Sequence, residues 1–112
     1  MTVEQTNVVD IVSVDKETEH VVLTISDHLD WSNTIEHQTI LQAKFNAYLA
    51  FVESGEILES YPMAKGRRII FKVVFKFDPD PEGRKFMTRA KEVIQSAGFD
   101  LQYELFDASY EN

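Results

Sequence analysis

Between positions 27 and 37 the chain carries two histidines and two aspartates, in Asp27-His28-Leu29-Asp30-Trp31 and at His37. Imidazole nitrogens and carboxylate oxygens are the donor set of a divalent cation such as zinc. The same pair of groups can pass a proton in general acid–base work. The spacing is that of no established zinc motif, and Asp30 is explained as well by capping the helix that follows. The expectation is therefore no metal site, no cofactor and no catalytic residue that can be named. Asp27, His28, Asp30, Trp31 and His37, with Tyr61 from a later loop, are kept as a candidate binding turn. The simpler reading is a strand-to-helix turn that Trp31 anchors into the core.

Other chemistry-bearing patterns fail on inspection. Asp78-Pro-Asp-Pro-Glu-Gly83 opens like a calcium loop, but Arg89 stands where the closing glutamate belongs and two prolines stiffen the start. Ala64-Lys-Gly-Arg-Arg68 lacks the frame of a phosphate loop. No Gly-x-Ser-x-Gly elbow is present. A catalytic carboxylate pair would have to be assembled in space from nineteen acids, so none is named.

Charge is unevenly placed. Nine of the eleven lysines and arginines lie between residues 65 and 91, against three acids there, while the whole chain carries a formal charge of −8. A surplus of that sign opposes the counterion release on which nucleic-acid binding depends. Cysteine is absent, which removes disulfides and thiolate chemistry and suits a reducing compartment. The start of the chain has no basic-then-apolar leader, and the longest apolar run, Ala47–Val52, is too short to span a bilayer. A cytoplasmic protein without a membrane segment is expected.

These residues must be held by elements, and their periodicity is readable. Residues 8–14 and 20–26 are β-branched runs around the polar turn 15–19, which predicts a hairpin. Asn33 with Glu36 has capping-box spacing, and Leu41, Phe45, Tyr48, Leu49 and Val52 then form one helical stripe up to Gly55. Ile40, Ala47 and Phe51 make a second stripe. Residues 56–61 read as a short edge strand before Pro62. Residues 68–77 alternate as a strand, Asp80-Pro81 starts a second helix, and Phe99, Leu101, Tyr103 and Leu105 alternate in a last strand.

The predicted order is ββα(β)βαβ in one domain over 1–112, with 1–7 and 107–112 frayed. Two helices with one dominant apolar face each imply an α+β two-layer sandwich, a mostly antiparallel sheet with both helices on one face. Arg68, Lys72 and Lys76 then share the open face with Asp100 and Glu104. Cross-strand ion pairing accounts for them, and docking of a second chain is the alternative. Ile40 and Phe51 are a further candidate contact for a symmetric homodimer.

The segments Leu23–Trp31 and Leu41–Gly55, with Tyr61-Pro62, resemble a family of small bacterial proteins classed as a domain of unknown function. The resemblance spans most of residues 8–106 and implies a bacterial, intracellular, stand-alone domain. It brings no activity. The leading expectation is a non-enzymatic protein-interaction module, of the kind exemplified by acidic immunity proteins. Its rival is a small-molecule- or metal-dependent enzyme with a site between the 27–37 turn and the 56–64 loop.

Overall fold

Alternating β-branched and aromatic residues produce four strands among residues 11–106, the part described by the computed structural model: β1 (Ile11–Val14), β2 (Val21–Asp27), β3 (Ile69–Phe75) and β4 (Asp100–Leu105). Two long helices, α1 (Thr34–Glu53) and α3 (Pro81–Ser96), and the short α2 (Glu56–Ser60) lie between them. Positions 8–10 of the first expected strand, and both ends expected to fray, lie outside the described residues.

The strands are ordered β1-β2-β3-β4. β1 runs antiparallel to β2, whereas β2 with β3 and β3 with β4 are parallel, so the sheet is mixed and not mostly antiparallel. The reason is in the connections. A long helix between two strands carries the chain back to the end where the first strand began, and the next strand must then run the same way. α1 and α3 each do this. β2 has two neighbours, β1 and β3, and β4 lies beyond β3.

The capping reading holds in detail. Asn33 accepts from the Glu36 N–H at 3.2 Å and donates to the Glu36 carboxylate at 3.1 Å, and Asp80 accepts from the Gly83 N–H at 2.7 Å. Gly55 takes φ of 83°, the left-handed conformation that ends α1. The following segment is a helix, not the expected edge strand. Glu56-Ile-Leu-Glu-Ser has no β-branched alternation, Ile57 alone turns inward, and the Leu58 N–H bonds to the Gly55 carbonyl at 3.0 Å.

Packing follows the stripes. Leu41, Phe45 and Tyr48 of α1 are buried with Leu23, Ile25, Phe71, Val73 and Phe75 of the sheet. Tyr48 meets Phe71 edge-on, and Phe45 stacks on Phe86 of α3. Ile40 and Phe51, the second stripe, are half-buried against this core. On α3, Met87, Ala90 and Ile94 are buried while Val93 is exposed. In β4 only Leu101 is buried, since β4 is the outer strand of the sheet and Tyr103 and Leu105 stay 46% and 52% exposed.

Candidate functional site

Asp27 closes β2, and its backbone carbonyl accepts from the Lys76 N–H at 2.9 Å, which fixes it beside the end of β3. Its side chain is fully buried. One carboxylate oxygen accepts from the Leu29 N–H at 3.0 Å and tightens the turn, and the other is hydrogen-bonded to Nε2 of His37. His37 sits one turn into α1, also buried, and its Nδ1 lies 3.1 Å from the Asp30 carbonyl. A carbonyl only accepts, so Nδ1 is the donor there, and a proton lies between Nε2 and Asp27. Both ring nitrogens are thereby occupied. No lone pair of His37 is left for a cation or a substrate.

Trp31 covers this pair. Its ring stacks on His37 at 3.7 Å between centroids, and its indole N–H donates to the Phe77 carbonyl at 3.1 Å. Its six-membered ring also meets Gly83 of α3, where an added Cβ would fall 2.7 Å from the indole. Thr34, the first residue of α1, donates to Asp80 at 3.2 Å. The turns after β2 and β3 are thus locked together.

Beside this knot is an open cavity of about 320 Å³, walled by His28, Asp30, Asn33, Glu36, Ile40 and Phe77. Asp30 accepts from both the hydroxyl and the backbone N–H of Ser32, at 2.7 and 3.1 Å, and these bonds, the hydroxyl's first, hold its carboxyl below the usual aspartate range. A carboxylate stabilised in its charged form is a weaker base than an ordinary aspartate. Among the described residues no three His, Asp or Glu side chains converge as a metal site.

Of the residues proposed for the binding turn, Asp27, Asp30, Trp31 and His37 come together and His28 joins them at the cavity. Tyr61 does not. It follows α2, at the far end of a twenty-residue helix, about 30 Å in length, from the cavity. On the sheet, Lys72 and Glu104 form an ion pair at 2.6 Å across β3 and β4. Arg68 is exposed just before β3, Lys76 lies 5.7 Å from the Phe77 ring, and Asp100 accepts from Gln95 of α3 at 3.1 Å. Part of the basic stretch is engaged within the chain: Arg84 pairs with Asp78, Lys85 with Glu82, and Arg67 holds the carbonyls of Met63 and Glu19.

Two features escaped the sequence reading. Lys44 is fully buried in α1, with its ammonium 5.3 Å from the Tyr48 ring. Its signal was its position, three residues after Leu41 and four before Tyr48, within the apolar stripe. The second is the rim of β4, where Tyr103, Leu105 and Phe106 are 46%, 52% and 43% exposed, with Phe77 exposed as well. Alternation marked Tyr103 and Leu105 as inward, and only the strand order reveals them as uncovered.

Among known proteins, the family described as Family of unknown function (DUF6572) has a model that matches residues 1–107. No curated protein and no solved structure matches the chain.

Proposed function

We propose that this chain, which belongs to that family of unknown function, is a non-enzymatic module that binds protein through the outer edge of β4. The observation that carries the reading is the edge itself, six residues without proline or lysine and with three large apolar side chains exposed along and just after it. Natural sheets usually blunt such an edge with lysine, proline or a bulge, because its unpaired backbone templates another strand, and the two charges β4 does carry, Asp100 and Glu104, are engaged within the chain. A two-layer arrangement supports the reading. The Phe45–Phe86 and Tyr48–Phe71 contacts draw α1 and α3 to one flank, and the Lys72–Glu104 pair occupies the other. Among the described residues no strand pairs with the outer side of β4. The cysteine-free composition fits a cytoplasmic setting, and the resemblance fits a bacterial one.

The cavity beside Asp30 favours a second reading, small-molecule or metal-dependent catalysis. The occupied nitrogens of His37 and the stabilised carboxylate of Asp30 weigh against it. Cross-linking capture separates the two readings. Leu105→Lys, which places a cation on the edge, should abolish capture, and Glu36→Gln in the cavity should leave it intact. The opposite pattern overturns the edge as the binding surface.

A further inference from the structure

The edge of β4 is self-complementary, and we infer that its partner is a second copy of this chain, paired antiparallel about a two-fold axis at Tyr103. This rests on the reading of the edge as a binding surface and names its occupant. The Phe106 N–H bonds inward to the Phe75 carbonyl at 2.6 Å. Backbone groups alternate along a strand, so Gln102 and Glu104 also turn inward toward β3, while Leu101, Tyr103 and Leu105 turn theirs outward. An antiparallel partner must set outward residues against outward residues. Three two-fold registers do so with two or more such pairs inside β4, with their centres at Gln102, Tyr103 or Glu104.

Charge chooses among them. Centring on Gln102 sets Asp100 against Glu104 of the second copy, and centring on Glu104 sets that carboxylate against its own image. Like charges directly opposite are destabilising. Centring on Tyr103 faces the Gln102 amide, a donor, to Glu104 of the second copy, and Leu101 to Leu105. Glu104 arrives already balanced by Lys72 at 2.6 Å. The three facing pairs supply about six backbone hydrogen bonds. The Leu101 N–H, now held by the Asp100 carboxylate at 2.9 Å, exchanges that bond for one to Leu105 of the second copy.

Tyr103 is the one residue that faces its own image, which makes the register testable in a chain that has no cysteine. Facing residues of a hydrogen-bonded antiparallel pair have Cα atoms about 5.5 Å apart, within disulfide range. With oxidised glutathione, full-length Tyr103→Cys should link into a covalent dimer and Leu105→Cys should not. Sedimentation should show a concentration-dependent dimer that Gln102→Glu weakens roughly two- to thirtyfold in Kd, and that Gln102→Lys strengthens. Salt should tighten it, because two chains of charge −8 repel one another. A monomer at every concentration, with no linkage, overturns the self-pairing. If Leu105→Lys still abolishes capture of another protein in that case, the edge remains a binding surface without it. Linkage through Leu105→Cys in place of Tyr103→Cys overturns the register.

Discussion

His37 and Asp27, ten residues apart in the chain, are hydrogen-bonded to each other in the interior beneath the indole of Trp31. The pair joins the end of β2 to the first turn of α1, and every ring nitrogen and carboxylate oxygen in it has a partner. Its geometry is that of a structural pin, because each of these atoms is already held by a neighbour in the fold.

Removing one member should therefore cost stability. His37→Ala strands a buried carboxylate, and breaking a buried pair in this way costs about 3–5 kcal/mol. Replacing both, as Asp27→Leu with His37→Leu, should recover part of that loss, since no uncompensated charge is left. Urea unfolding followed by circular dichroism checks the order of the three proteins. A single variant as stable as wild type would remove the pin.

Gly83→Ala should destabilise the protein although alanine favours helix by about 1 kcal/mol over glycine. The added methyl falls 2.7 Å from the Trp31 ring, and crowding of this kind costs about 1–3 kcal/mol. If the melting temperature of Gly83→Ala rises instead, Trp31 does not rest on α3 as described.

The Asp30 carboxyl titrates below its ordinary 3.8 because the Ser32 hydroxyl and then the Ser32 N–H hydrogen-bond to its charged form. A folded value below the unfolded one gives stability that is present above 3.8 and lost as pH falls through the folded value. Ser32→Ala should move the Asp30 titration up toward 3.8 in a carboxyl-resolved NMR experiment and narrow that acid window. An unchanged midpoint would show that the hydroxyl is not the cause.

Lys72 and Glu104 are 38% and 53% exposed, so their pair contributes less than about 1 kcal/mol to folding. Lys72→Glu with Lys76→Glu should leave the melting temperature within a few degrees. It should weaken the dimer, because Glu104 then reaches the second copy unbalanced. Sedimentation of the double variant at matched salt is the measurement, and an undiminished dimer would detach these lysines from association.

The elements and the hairpin of β1 with β2 were largely legible, and the parallel pairing of the later strands was not. Caps announce themselves locally, as Asn33 with Glu36 and Asp80 with Pro81 show, because a cap is satisfied within three or four residues. Strand direction depends on where each connection ends, and alternation in Ile69–Phe75 is the same whether its neighbours run parallel or not. Five residues, Glu56–Ser60, are too few for helical and strand periods to separate. The 27–37 turn stood out by residue type, and its most conspicuous members, Asp27 and His37, are buried and bonded to each other. The rim at Tyr103 and Leu105 was invisible because exposure at an edge is a property of the sheet and not of the strand.

Trp31 is the sole tryptophan, and it stacks on His37 and also touches Gly83 of α3. Its emission therefore reports two turns at once. A stacked imidazole darkens an indole and release into water reddens it, so a change in intensity without a shift in wavelength marks loss of the histidine contact alone. The native chain thus carries its own optical gauge of whether the junction of α1 and α3 opens before the sheet does.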